Sequence, residues 1–245
     1  MSEPNDLIEK FRSARKSEHK VVLEGFHVIK HALRFNATLL SCVTYDKKYV
    51  QYLALSLAPD LKEIFDAIET VEEKLFKELS PKPPESKIIA IAKKPRYFLS
   101  DVLKEKQKNP IVLLDDPSHP GNVGSVIRVA AAAGVHAVLV MGELDPWRPQ
   151  VLRGAQGLHF ALPIVHIESA SSLNKPFIVF DERGENLFKT KLPRESIFIF
   201  GSERRGVSKE LKGKAEKIIS IPMQKRVSSI NLATSVGIAL YATKL

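Results

Sequence analysis

The sequence predicts an α/β protein made of two units, on three observations. Short β-rich apolar runs alternate with segments of helical period. One run, Ile111-Val112-Leu113-Leu114, is unbroken, as expected of a parallel strand covered on both faces. A Lys-rich, apolar-poor stretch at 93–109 separates a weakly patterned first part from a strongly patterned second part.

Val21–Leu23 reads as a strand, and Gly25–Arg34 as a helix with Phe26, Ile29 and Leu33 at helical spacing. Leu39–Thr44 is a second strand. Lys48–Leu57 is a helix that Pro59 stops. Glu63–Ile68 reads as a strand, Val71–Leu79 as a helix and Ile88–Ala92 as a strand. The first domain is therefore placed at 1–92, and the junction at 93–109 has room for a short helix around Phe98, Val102 and Leu103. The second domain, 110–245, opens on Ile111–Leu114. A Gly-containing loop follows, then a helix from about Asn122 to Ala133 that ends at Gly134. Strands follow at Ala137–Met141, Phe177–Phe180, Ile197–Phe200 and Ile218–Ile221, and an apolar helix at Ser229–Thr243.

Composition narrows the function classes. At 245 residues, 44% hydrophobic and 27% charged, the chain is neither disordered nor collagen-like. No apolar run approaches the roughly 20 residues that span a bilayer. The start, Met1–Asp6, lacks a basic-then-apolar signal pattern. The single cysteine, Cys42, excludes an intrachain disulfide and an all-Cys metal site, so a cytoplasmic location is expected. His27 and His31 are four apart on a helix, but no third ligand is in view, and no metal is expected. Lys and Arg outnumber Asp and Glu by 37 to 28, a net charge of +9. Residues 10–20 hold Lys10, Arg12, Arg15, Lys16 and Lys20 against Glu18 alone, and residues 203–226 hold eight basic and three acidic side chains. Such patches attract nucleic acid, although solvated faces that only confer solubility have the same composition.

Three loops follow predicted buried strands, where open α/β sheets bind ligands. The first runs from Asp115 through Pro117, His119, Pro120, Gly121 and Asn122 to Arg128. Asn122 is placed to cap the following helix, and Arg128 stands on an otherwise apolar, alanine-rich helix where it needs a partner or a ligand. The second is Gly201-Ser202-Glu203-Arg204-Arg205-Gly206-Val207-Ser208. Its glycine spacing is that of a P-loop, but Val207 stands where the lysine belongs, which excludes a nucleoside triphosphate. A dinucleotide dehydrogenase lacks its glycine fingerprint here. The third carries Ile221-Pro222-Met223 and then Ser229-Ile230-Asn231 at a helix start, where Ser and Asn also serve as ordinary caps. Trp147, in Asp145–Pro149, reads as loop packing ahead of base stacking.

Together these loops resemble the three signature motifs of the SpoU/TrmH family of RNA 2′-O-ribose methyltransferases, in the SPOUT superfamily. The family has an Asn followed six residues later by Arg, as in Asn122 and Arg128. It has a Gly-Ser-Glu-Gly-x-Gly-like turn, as in Gly201–Gly206. It has Ile-Pro-Met and then Ser-Leu-Asn, as in Ile221–Met223 and Ser229–Asn231. Gly154–Gly157 before Leu162-Pro163 is similar to a further family element. Arg204 and Lys225 stand where the family has Gly, and His119 where it often has Asn. The two lost glycines bear on loop conformation, since only Gly takes positive φ freely.

The resemblance implies a C-terminal SPOUT domain with a parallel sheet and a deep trefoil knot, preceded by a small α/β RNA-binding domain. It implies S-adenosylmethionine as cofactor, held near Phe180, Asp181 and Gly184, near Phe200, Gly201, Glu203 and Gly206, and near Ile221, Met223 and Ser229. Arg128, Asn122, Glu203, Ser229 and Asn231 would form the catalytic set. A guanidinium keeps its proton at physiological pH, so a charged Arg128 that binds phosphate and stabilises alkoxide is preferred to Arg128 as base. Glu203 would orient Arg128 or loop amides. Arg12, Arg15, Lys16, Lys20, Arg204 and Arg205 would contact RNA backbone. The partners implied are RNA, ribosomal ahead of transfer RNA, and a second copy in a homodimer, with no membrane. A non-catalytic RNA-binding protein of the same fold is the competing reading.

Overall fold

The computed structural model describes residues 4–80, 82–104, 106–107 and 109–243. Met1–Glu3 of the N-terminal segment and Glu105 and Lys108 of the junction therefore lie outside the described residues. The chain divides into two compact units, Met1–Arg96 with Gln156–Phe160, and Tyr97–Ala155 with Ala161–Leu245.

The first unit contains α1 (Pro4–Arg15), β1 (Lys20–Glu24), α2 (Phe26–Arg34), β2 (Leu39–Thr44), α3 (Lys47–Leu57), α4 (Lys62–Asp66), β3 (Glu69–Thr70), α5 (Glu73–Leu79) and β4 (Ile88–Lys93). Its sheet has the order β1-β4-β2-β3, with β4 antiparallel to both neighbours. β4 is central because Ile88–Ala92 is apolar at every position and buried throughout. Ile89 and Ile91 pack under α1 and α5 with Phe11, Phe76 and Leu79. Phe26 of α2 stacks on Phe65 of α4 at 4.7 Å. His31 Nδ1 lies 2.8 Å from the Gln156 carbonyl oxygen, a hydrogen bond within this unit.

Two features of this unit differ from the sequence expectation. Residues 63–68 are mostly helix, not strand: Phe65 and Ile68 are buried while Ile64 is 44% exposed, a spacing that suits helical turns and not alternation. The basic stretch at the N-terminus also contains an unassigned core helix. Leu7, Phe11 and Ala14 recur at i, i+4 and i+7 in α1, and all three are buried.

The second unit contains α6 (Leu99–Lys104), β5 (Ile111–Asp115), α7 (Pro120–Ala133), β6 (Ala137–Met141), α8 (Pro149–Gly154), β7 (Ile164–Ile167), β8 (Phe177–Asn186), β9 (Ile197–Gly201), α9 (Lys209–Gly213), β10 (Lys217–Ser220) and α10 (Leu232–Ala242). The six-stranded sheet is parallel throughout, in the order β10-β8-β9-β5-β6-β7. Val112 and Leu114 of β5 face α7 and α10, while Ile111 and Leu113 face α6 and α9. Cover on both faces is why this strand carries no polar residue until Asp115. α6 does not stand apart as a linker. Its Val102 is buried in the core, and the Val102 carbonyl oxygen lies 3.0 Å from His136 Nε2. α8 and β7 had no clear signal, being short elements bounded by Pro149 and Pro163. Trp147 is buried, as loop packing requires.

Strand order reverses at β5: β6 and β7 build one side, β9, β8 and β10 the other. Ligand sites in such sheets form beyond the carboxyl ends of strands at this reversal.

Candidate active site

The loop after β5 begins α7 differently from the sequence expectation. His119 is the N-cap, and its Nδ1 accepts from the Asn122 amide at 3.4 Å. Pro120 takes the first helical position, where its missing N–H costs nothing. Asn122 is therefore not the cap, and its side chain is free for other partners. Its Nδ2 donates to Glu203 Oε1 in a short hydrogen bond. Its Oδ1 accepts from Asn231 Nδ2 at 3.1 Å. Asn231 does cap α10, with its Oδ1 accepting from the Ala233 and Thr234 amides. Three residues picked from three separate loops thus form one hydrogen-bonded chain, Glu203–Asn122–Asn231.

Glu203, one end of this chain, lines a cavity of about 520 Å³ beside the middle of β8 and the carboxyl end of β9, a volume within the small-molecule range. Phe180 and Phe200 line it and stack on each other at 4.5 Å. The β8–β10 ladder explains the wall. Pairing jumps from Val179↔Ile218 to Glu185↔Ile219, so residues 180–184 leave that ladder, and Phe180–Arg183 bulge along the cavity. Gly201 permits the second loop to fold back. A Cβ there would stand 1.9 Å from the Gly206 carbonyl carbon. Gly206 closes the turn at φ 65, and Ser202 bridges to it. The Asp115 carboxylate pins the loop's far end, accepting from the Ser208 amide at 2.7 Å.

Of the residues expected at the cofactor, Phe180, Asp181, Phe200, Gly201, Glu203, Gly206, Ile221, Met223 and Ser229 line the cavity. Gly184 does not. It lets the bulge rejoin the sheet, since a Cβ would meet the Ile218 carbonyl oxygen at 2.6 Å. Arg128 is exposed on α7, outside the lining, with no hydrogen-bond or ion-pair partner among the described residues. Glu203 therefore binds Asn122 and does not orient Arg128. Arg204 lines the cavity with a negative φ, and neither it nor Lys225 needs the freedom of the glycine it replaces; among these loop residues Arg226 takes φ 74. Arg205 pairs with Asp116 at 3.6 Å.

The basic residues of the first unit divide. Lys16 and Lys20 are exposed, and Arg12 pairs with Glu9 in solvent. Arg15 is committed inward, to Glu24 at 3.0 Å and the Leu79 carbonyl oxygen at 2.7 Å, so it fastens α1 to the sheet.

Lys212, Ile219, Leu232 and Ser235 also line the cavity and had escaped sequence reading. Nothing distinguishes Lys212 from its basic neighbours until the fold brings it 2.6 Å from Asp181. Burial pushes the Asp181 carboxyl up, but the hydrogen bond from Lys212, with help from the Arg183 amide, wins and holds it below the ordinary value. A depressed carboxylate contributes stability above its unfolded pKa of about 4 and loses it as pH falls through the lower folded value. Lys212→Met is thus expected to lower the melting temperature at neutral pH. The difference from wild type should close as pH falls through the lowered folded value; a pH-independent difference would mean that packing, not charge, is lost.

Fold and site together define an α/β protein with a small-molecule cavity beside β8, β9 and β10 of a parallel sheet, next to a polar chain that joins three loops. Residues 109–241, more than half of the chain, match the SpoU rRNA Methylase family, and the chain belongs to that family. It is similar to the 23S rRNA (uridine(2479)-2′-O)-methyltransferase of Streptomyces viridochromogenes, with 30% identity over 65% of this chain and 59% of that protein. It is 25% identical to the 23S rRNA (guanosine(2553)-2′-O)-methyltransferase of Bacillus subtilis over 94% of this chain and 90% of that one. The crystal structure of the SpoU methyltransferase AviRb from Streptomyces viridochromogenes with AdoMet superposes at TM-score 0.77 and 23% identity, covering 99% and 97% of the two chains. That likeness carries the fold. Among the described residues no helix is long and apolar enough to cross a membrane, and no group of three or more His, Cys, Asp or Glu is placed to hold a metal.

Proposed function

We propose that the protein transfers a methyl group from S-adenosylmethionine to a ribose 2′-hydroxyl of ribosomal RNA, in the cytoplasm and as a homodimer through its second unit. The observation that carries this reading is the chain Glu203–Asn122–Asn231, which ties all three motif loops together beside the cavity. The 23S rRNA 2′-O-methyltransferases among its relatives support the substrate, and the AdoMet-bound neighbour supports the cofactor. The deep trefoil knot belongs to the same reading.

The cavity suits the cofactor. The Phe180 and Phe200 rings with Ile219, Ile221 and Leu232 offer an apolar bed for a purine, and Asp181, Ser229 and loop backbone offer hydrogen bonds. When bound, S-adenosylmethionine supplies the sulfonium methyl that the ribose oxygen attacks. The chain's own contribution is positional and electrostatic. Asn231, held by the α10 amides, and Glu203, held by its turn, fix Asn122 from both sides. Arg128 has its guanidinium uncommitted, so it can bind a substrate phosphate and stabilise negative charge on the ribose oxygen. The proton then leaves to phosphate or water. Calorimetric titration with S-adenosylmethionine is expected to give saturable binding; no binding would favour the non-catalytic RNA-binding reading.

Lys16, Lys20, Arg204 and Arg205 are assigned to phosphate contacts. RNA affinity is therefore expected to fall steeply between about 50 and 200 mM salt. A flat dependence in filter binding would remove that assignment.

A further inference from the structure

Two opposite charges meet on the cavity wall outside the chain that joins the motif loops. Asp181 stands in the β8 bulge and Lys212 on α9, and their side chains close to 2.6 Å. Both line the cavity. Asp181 is 18% exposed and Lys212 33%, so solvent screens this pair less than the other charges on the wall. Arg183 pairs with Glu182 and Arg205 with Asp116 at 89% and 83% exposure of the arginines. Glu203 is committed to Asn122.

A latch between β8 and α9 needs only the one contact, whereas this pair keeps hydrogen-bonding capacity in reserve. The ammonium has three donors, and Asp181 takes one; its side chain has no other partner among the described residues. Each carboxylate oxygen accepts once, Oδ1 from the Arg183 amide at 3.2 Å and Oδ2 from Lys212, and each has a lone pair left. The turn at Gly206 passes the pair with bare backbone. A methyl at Gly206 would meet Asp181 Oδ2 alone within 4 Å, at 3.9 Å, so space lies open beside the carboxylate.

A lone anion in that space is attracted by Lys212 and repelled by Asp181, and a lone cation the reverse. A zwitterion satisfies both. S-adenosylmethionine ends in one, an α-ammonium and an α-carboxylate on a single carbon, while its adenosine part carries no charge to match the pair. We propose that the Asp181–Lys212 pair reads the amino-acid end of the cofactor, with Lys212 taking the α-carboxylate and Asp181 the α-ammonium. The inference rests on the reading of the cavity as a site for S-adenosylmethionine, and it makes Lys212 a specificity-determining residue.

The test is calorimetric titration of the full chain with three ligands. These are S-adenosylmethionine, its decarboxylated form, which keeps the ammonium, and 5′-methylthioadenosine, which lacks both charges. In the parent, loss of the carboxylate is expected to weaken binding about tenfold or more, the scale of a hydrogen bond between charged groups. Lys212→Met is expected to bring S-adenosylmethionine down to the affinity of the decarboxylated form and to leave the other two ligands bound as in the parent. Lys212→Arg keeps the cation and is expected to restore part of the difference. Asp181→Asn is expected to weaken the decarboxylated form, whose ammonium loses its partner, and to spare 5′-methylthioadenosine. An equal loss for all three ligands in Lys212→Met makes the pair a latch of the fold or a contact to the ribose, and overturns the inference. A parent that binds S-adenosylmethionine and its decarboxylated form equally also overturns it, whereas a parent that binds none of the three overturns the functional reading itself.

Discussion

Arg128→Ala is expected to lower methyl transfer by about 10²–10³-fold while leaving cofactor affinity and melting temperature nearly unchanged. The magnitude is that of removing one preorganised group that stabilises developing negative charge. The selectivity follows from the surroundings of Arg128. It is exposed, lies outside the cavity lining and has no partner among the described residues, so its removal strands no buried group. Exposed substitutions of that kind change stability by about 0.5 kcal/mol or less. Arg128→Lys keeps the charge but loses the two-pronged donor geometry, so only partial recovery is expected. The three measurements are kcat with ribosomal RNA, calorimetric cofactor affinity and thermal melting. Parallel loss of cofactor binding and transfer would give Arg128 a structural role instead.

The second large effect is expected from Gly201→Ala. The added methyl would fall 1.9 Å from the Gly206 carbonyl carbon and 2.1 Å from the Val207 nitrogen. These are backbone atoms that cannot swing away, so the loop must open. A cost of about 1–3 kcal/mol or more is expected, together with loss of cofactor binding, because Gly201, Glu203 and Gly206 all line the cavity. Gly213→Ala is the control. Nothing lies within 4 Å of its would-be methyl and its φ is not positive, so stability should hold or rise slightly. Urea unfolding and cofactor titration of both variants check this. Normal cofactor affinity in Gly201→Ala would mean that the loop is not a wall of the binding site.

Most of the strands that frame the site, and the candidate residues, were legible in the sequence because each sat in a strong local signal. The Ile111–Leu114 run reads as a doubly covered strand, and the loops carrying Asn122 and Glu203 follow strands buried in this way, whereas the loop carrying Asn231 follows β10, a half-exposed edge strand. Their union was not legible, because those hydrogen bonds join residues 81 and 109 positions apart. Asn122 was misread as a cap since Asn is a favoured cap, whereas His119 takes that place and releases it. Gly184 was grouped with the cofactor loops, yet the crossing β10 backbone is what demands glycine there. Lys212 carried no signal beyond charge, and only the turn into α9 brings it to Asp181. In the first unit, weak periodicity hid α1 under its basic side chains and turned residues 63–68 into a strand on paper.

Transfer of a labelled methyl group to ribosomal RNA decides whether the protein is a 2′-O-methyltransferase. Unmodified ribosomal RNA is incubated with the protein and S-adenosylmethionine labelled on its methyl group, then digested to nucleosides and analysed. Label in a single 2′-O-methyl nucleoside, abolished by Arg128→Ala, is the expected result. Label on a base, or no label on naked RNA or ribosomal particles while the cofactor still binds, would contradict the claim.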